Sequence, residues 1–192
     1  MERKDIIILI TRKLPEKIEK KLKESFNVIA NKPDKKLSYT ELKKKVSEVD
    51  ILIPCVSDTI DASIIKSAKK LKLIANFGNG VDNLDLVTAR EENVIVTNTP
   101  DVLTEDTADL VLTLVLMISR KVVQAQKKIS GGRWSWWGPS ETMGERIRGK
   151  NFGIIGMGRI GKAVAKRLNI LGVKIFYHNR NRLKNNEEKS LK

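Results

Sequence analysis

The chain has 192 residues, 41% of them hydrophobic and 31% charged. That mix is the composition of a soluble globular protein of one large or two small domains, and it excludes a disordered chain. The formal net charge of +14 raises nucleic acid as a partner. However, the basic groups are scattered at helical spacing with no aromatic-interleaved groove motif, so no nucleic-acid partner is expected.

The charge is uneven. Residues 1–50 carry 14 basic and 9 acidic groups, net +5. Residues 51–118 carry 5 and 10, net −5, and residues 119–192 carry 18 and 4, net +14. A lysine-rich solvated surface accounts for the last third, as does affinity for a phosphorylated small molecule. The single cysteine, Cys55, excludes an internal disulfide and fits a reducing cytoplasm. It reads as a packed thiol, because a catalytic thiol wants a nearby base and the single histidine, His178, lies far along the chain. The apolar run at 6–10 is shorter than a signal-peptide core. The run at 110–118 falls short of the ~20 residues of a membrane span. No membrane partner is expected.

In chain order, short apolar runs at 6–10, 26–29, 50–53, 72–75 and 93–96 read as strands. Amphipathic stretches separate them. Pro15 opens the first at a position that proline tolerates, and Ser38 with Glu41 forms a capping box for the second. The stretches at 61–70 and 84–92 supply two more helices. Strand–helix alternation predicts a parallel sheet with helices on both faces. Ligands then lie at the carboxyl ends of the strands.

After Thr99-Pro100 the pattern predicts one long helix from about Glu105 to Lys128, apolar on nearly all sides from Ala108 to Ile118. Such a helix has to be covered all round, by a second domain or a second subunit. Residues 131–150 form an excursion containing Trp134, Trp136 and Trp137. These tryptophans read either as anchors of an irregular segment or as an aromatic wall over a ligand site or interface.

Residues 151–178 read as strand, turn, helix and strand, and the turn GMGRIG matches G-x-G-x-x-G at Gly156, Gly158 and Gly161. The context makes this a dinucleotide fingerprint, because the turn follows an apolar strand and opens a helix. Gly156 permits the tight turn, Gly158 lets backbone approach a pyrophosphate, and Gly161 lets helix and strand pack closely. Arg159 and Ile160 start the helix whose N-terminus faces the phosphates. An NAD site wants an acid about 20 residues on to bind the ribose hydroxyls. Here the second strand ends in His178, Asn179 and Arg180, with Arg182 nearby. With no acid to repel a 2′-phosphate and two guanidiniums to pair with one, NADP(H) is expected over NAD(H). NAD(H) remains the alternative if the arginines are merely exposed.

With this turn in place the chain resembles the D-isomer-specific 2-hydroxyacid dehydrogenases, in the glyoxylate/hydroxypyruvate reductase branch. The resemblance rests on NFGNGVDNLD at 76–85, TNTPDVLTEDTADL at 97–110, GGRWSWW at 131–137 and GKNFGIIGMGRIGKAVAKRL at 149–168. It implies an α/β fold: a flavodoxin-like substrate domain over 1–98, followed by an incomplete Rossmann dinucleotide-binding domain over 99–192. It implies that the backbone of Asn79 and Gly80 holds a substrate carboxylate and that Thr107 lies near the cofactor phosphates. It also implies that Trp134 and Trp137 lie by the active site of a partner subunit in a homodimer. The implied reaction is NAD(P)H-dependent reduction of a small 2-oxo acid to the D-2-hydroxy acid.

The same resemblance implies a catalytic Arg, Glu and His in the later half of the Rossmann domain. No residue of this chain matches those positions, and His178 falls on the adenosine side. The expectation is therefore a C-terminally truncated chain with exposed apolar sheet edges, inactive alone. The alternative is a nucleotide-binding regulatory or interaction protein of corepressor type, with the tryptophan segment and the apolar helix as partner surfaces.

Overall fold

The computed structural model describes residues 3–32 and 34–189. Two compact units divide the chain, Met1–Pro100 and Asp101–Lys192.

A short 3-10 turn at Arg3–Asp5 leads into the first unit. Its strands are β1 (Ile7–Ile10), β2 (Asn27–Ala30), β3 (Ile51–Ile53), β4 (Leu73–Ala75) and β5 (Ile95–Thr97). They form one fully parallel sheet in the order β2-β1-β3-β4-β5. This is the doubly wound, flavodoxin-like order. Helices α1 (Glu16–Ser25), α2 (Tyr39–Val46), α3 (Ala62–Ser67) and α4 (Leu86–Glu91) make the crossovers.

Parallel strands must be covered on both faces, which is why these read as unbroken apolar runs. Leu9, Leu52 and Ile74 pack with Leu42 and Val46 of α2, Ile64 and Ile65 of α3 and Ala89 of α4. Ile8 and Ile10 pack on the other face with Leu14 and with Leu22 of α1. The helix starts are fixed locally. Ser38 and Glu41 form the full capping box, Asp61 accepts from the Ile64 N–H at 3.0 Å, and Asp85 accepts from the Thr88 N–H at 2.9 Å.

The second unit holds α5 (Thr104–Ser119), α6 (Val122–Ser130), β6 (Asn151–Ile155), α7 (Arg159–Ile170), β7 (Lys174–His178) and α8 (Asn185–Lys189). Strands β6 and β7 are parallel, in register from Asn151↔Lys174 to Ile155↔His178. Helix α7 packs through Ala163, Val164 and Leu168 against Ala108 of α5. Met157 and Ala165 close a smaller cluster with Ile154, Ile175, Tyr177 and Leu183. Arg167 of α7 bonds Glu105 at 2.8 Å and Asp109 at 2.7 Å on α5. Glu105 first, and Asp109 with it, hold the guanidinium pKa above its usual value.

One expectation changes here. The single helix over 105–128 is two helices. Lys121 takes a left-handed backbone, φ +51°, between α5 and α6, and one such residue interrupts the i→i−4 ladder. Only Ala108 of α5 is buried, while Leu110, Leu114 and Ile118 form an exposed stripe at four-residue spacing.

No helix among the described residues is long and apolar enough to cross a membrane.

Candidate functional site

The glycine turn between β6 and α7 carries three separate geometric demands. Gly156 ends β6 with φ +98°, a conformation that L side chains rarely adopt. Its N–H donates to the His178 carbonyl at 2.9 Å, tying the turn to the end of β7. Gly161 sits against that turn. A Cβ there would lie 2.3 Å from the Gly156 carbonyl oxygen, so only glycine fits. Gly158 is different, because a Cβ there meets nothing within 4 Å. The space in front of it is open.

Gly158 is also the N-cap of α7, and no side chain caps that end. The N–H groups of Arg159, Ile160 and Gly161 therefore have no intrahelical acceptor, and the first intrahelical bond is Lys162 N–H to the Gly158 carbonyl at 2.9 Å. Unsatisfied donors, the positive dipole end and open space over a glycine together fit a pyrophosphate. Arg159 pairs with Asp101 at the surface. Thr107 lies half-buried in the first turns of α5, its N–H bonded to the Leu103 carbonyl at 3.0 Å.

At the end of β7, a depression of about 330 Å³ is lined by Tyr177, His178, Asn179, Arg182 and Glu188. Asn179 is turned back on its own segment, with Nδ2 donating to the Asn181 carbonyl at 3.0 Å. Arg180 is exposed. Arg182 is held in a two-pronged ion pair: Nε to Glu188 Oε1 at 2.8 Å and Nη2 to Oε2 at 3.0 Å. This pair raises the Arg182 pKa above its usual value. The reading that no acid stands at the end of the second strand is thereby corrected. Helix α8 folds back and brings Glu188 to the end of β7, where the local sequence has none. Tyr177 OH donates to the same carboxylate and accepts from the Leu183 N–H at 3.2 Å. The neighbouring Glu187 pairs with Lys162 of α7. That bond, with the Lys184 N–H, holds the Glu187 carboxyl below its usual value.

In the first unit, the loop after β4 carries Asn79 and Gly80. Asn76 is buried and donates through Nδ2 to the Gly80 carbonyl at 2.8 Å. Asn98 Nδ2 donates to the Asn79 carbonyl at 2.8 Å. At Gly78 an added Cβ would lie 2.1 Å from Val56 Cγ1, so the exposed Val56 side chain would have to move. The two carbonyls are thus taken up by side-chain amides. The N–H groups of Asn79 and Gly80 have no acceptor among the described residues and sit on an exposed loop. Two free donors in sequence suit a carboxylate.

Trp134, Trp136 and Trp137 are more exposed than anchors would be, Trp137 at 75%. They line a cavity of about 190 Å³ with Ala125 and the paired Lys128 and Glu141. Cys55 is half-buried, its N–H donating to Asp58 at 2.9 Å.

The family model for D-isomer specific 2-hydroxyacid dehydrogenase, catalytic domain, matches residues 8–188. The chain belongs to the D-isomer specific 2-hydroxyacid dehydrogenase family. It is 40% identical over 179 residues to glyoxylate reductase of Thermococcus onnurineus, covering 91% of this chain and 54% of that protein. A crystal structure of a Thermus thermophilus protein, 42% identical, superposes with a TM-score of 0.86 over 93% of this chain and 57% of that one. An NADPH-dependent glyoxylate/hydroxypyruvate reductase from Sinorhizobium meliloti, solved with NADP and malonate, is 30% identical with a TM-score of 0.75, over 94% and 55%. The chain spans just over half the length of these relatives.

For this member of the 2-hydroxyacid dehydrogenase family, sequence reasoning missed Glu188, Tyr177 and the amide pair Asn76–Asn83, whose side chains bond each other at 3.2 and 3.3 Å. A signal existed for α8. Lys184 precedes Asn-Asn-Glu-Glu, and Glu187 accepts from the Lys184 N–H at 3.2 Å as a helix-start carboxylate does. Nothing local marked Glu188 as facing β7.

Proposed function

We propose that this chain serves the NAD(P)H-dependent reduction of a small 2-oxo acid, of the glyoxylate or hydroxypyruvate type, to the D-2-hydroxy acid. The observation that carries the reading is the Gly156–Gly161 turn, with open space over Gly158 and three unsatisfied N–H groups behind it. The glyoxylate reductases among the relatives support the substrate class. When bound, the reduced nicotinamide cofactor supplies the hydride.

Each unit has its own task. Residues 1–98 act as the substrate domain, with the N–H groups of Asn79 and Gly80 binding the substrate carboxylate and fixing which carbon is offered for reduction. Residues 99–192 bind the dinucleotide. Gly156, Gly158, Arg159, Ile160 and Gly161 hold the pyrophosphate, and Thr107 lies beside it. Asn179, Arg180 and Arg182 receive the adenosine ribose and favour NADP(H), with NAD(H) as the alternative. The exposed stripe of Leu110, Leu114 and Ile118 associates with a second copy, in which Trp134 and Trp137 border the partner's substrate. The free thiol of Cys55 is consistent with the cytoplasm as the working compartment.

None of these residues is placed to give the carbonyl oxygen its proton. His178, the one histidine of the sequence, ends β7 with its carbonyl bonded to the glycine turn. Its imidazole lines the adenosine-side depression. The 192 residues alone therefore bind cofactor without turning over.

Calorimetric titration tests the reading. NADPH is expected to bind one per chain in the micromolar range, and added glyoxylate is expected to cause no NADPH oxidation. Absence of NADPH binding overturns the cofactor assignment. Glyoxylate-dependent oxidation overturns the statement that no proton donor is present.

A further inference from the structure

We infer that Glu188, delivered by α8, sets the choice between the 2′-hydroxyl and the 2′-phosphate form of the cofactor. The inference rests on the dinucleotide reading above and goes beyond it, because the strand-end residues Asn179 and Arg180 no longer decide the matter.

The depression at the end of β7 has one acidic lining residue, Glu188, and one guanidinium, Arg182. Each engages the other through two bonds, at 2.8 and 3.0 Å. The Glu188 side chain is only 21% exposed, against 79% for Arg182. The acid is the fixed member of the pair. Tyr177 OH holds it from β7, and the Glu187–Lys162 pair pins the same short helix to α7.

A carboxylate has about four acceptor positions. A ribose hydroxyl can donate to the Glu188 carboxylate in place of one of its present partners, with no clash of charge. This is the service that the acid at the strand end performs in NAD sites. Here it comes from a later helix rather than from the strand end. A 2′-phosphate meets the opposite situation. It brings a charge of about −1.5 to −2 into a depression already holding a carboxylate. To gain Arg182 it has to take the guanidinium from Glu188. Arg180, exposed and without an ion-pair partner among the described residues, is left as the only uncommitted guanidinium at this end of β7. The arginines thus favour the phosphate, Glu188 opposes it, and the balance lies in one ion pair.

The test is calorimetric titration of NADH and NADPH, separately, into the wild-type chain, Glu188→Gln and Arg182→Gln. Glutamine keeps an acceptor for Tyr177 and removes the charge. Glu188→Gln is expected to tighten NADPH by about tenfold, the scale of one charged hydrogen bond, and to weaken NADH several-fold. Arg182→Gln is expected to weaken NADPH and leave NADH within about twofold of the wild type. An unchanged NADH/NADPH ratio in Glu188→Gln overturns the inference while leaving the dinucleotide site standing. Parallel weakening of both cofactors does the same, since it reports damage to α8 rather than competition for Arg182. If neither cofactor binds the wild type, the dinucleotide reading fails and this inference fails with it.

Discussion

The two units are built from the same parts and buried very differently. In the first, IILI of β1 lies inside a five-stranded parallel sheet, between β2 and β3, and Ile8, Leu9 and Ile10 are all buried. In the second, NFGII of β6 and KIFYH of β7 pair only with each other among the described residues. There Ile155 is 91% exposed and Phe176 is 59% exposed. Yet Ile155 and Phe176 are as apolar as the buried isoleucines of β1. The burial of a parallel strand is therefore supplied by its neighbours and covering helices rather than by its own composition. The first unit has a closed core around its sheet. The second keeps its best packing between α5 and α7 and leaves apolar surface at β6, β7 and α5.

The strongest way to break this comparison is a pair of truncations read by urea unfolding. Leu52→Ala, in the middle of the first sheet, is expected to cost about 3 kcal/mol, as buried leucine truncations do. Ile155→Ala is expected to stay within about 0.5 kcal/mol, as exposed substitutions do. Equal costs would mean that Ile155 is covered in solution. Next in size is Gly161→Ala. The Cβ has only 2.3 Å to the Gly156 carbonyl, so the turn has to shift, at about 1–3 kcal/mol. Hydrogen exchange should show the loss in β6 and α7 and leave β1, β3 and β4 protected. Protection lost equally in both units would show that they unfold together.

A smaller effect sharpens the meaning of the exposed stripe on α5. Leu114→Glu is expected to shift sedimentation of the chain toward the monomer with little change in melting temperature. A wild type that is monomeric at every concentration would remove the self-association reading. The smallest effect concerns α8. The folded Glu187 carboxyl lies below its usual value because Lys162 hydrogen-bonds it. Its attraction for Lys162 is therefore complete above the ordinary glutamate range and is lost as pH falls through the lower folded value. Backbone resonances of α8 should hold steady from neutral pH down through the ordinary glutamate range and move only below it. Movement confined to higher pH would contradict the pairing.

Much of the fold was legible because its signals are local. Buried parallel strands appear as unbroken apolar runs, and the five of the first unit fall within one or two residues of their expected positions. The Ser38–Glu41 box marks a helix start by itself, and the glycine turn is marked by three glycines in a strand-to-helix context. The break between α5 and α6 was not legible. Ser119, Arg120 and Lys121 include neither glycine nor proline, and a left-handed lysine announces nothing in sequence. Glu188 was hidden for another reason. Its role comes from α8 folding back over β7, a tertiary event with no periodicity to betray it. The Asn76–Asn83 pair was hidden in the same way, because two amides seven residues apart meet only once the loop has closed.

The central claim is that a dinucleotide lies across the open face of Gly158. Gly158→Ala tests it most directly, because the substitution has room in the fold. The backbone there is extended, φ −80° and ψ −159°, and the added Cβ meets no protein atom within 4 Å. NADPH titrated calorimetrically into wild type and Gly158→Ala, with thermal melts of both, gives the answer. The melts should differ by no more than the small cost of an alanine N-cap, and NADPH binding should weaken by at least about tenfold, as the methyl group occupies the space that the pyrophosphate needs. Equal NADPH affinity in the two proteins would contradict it.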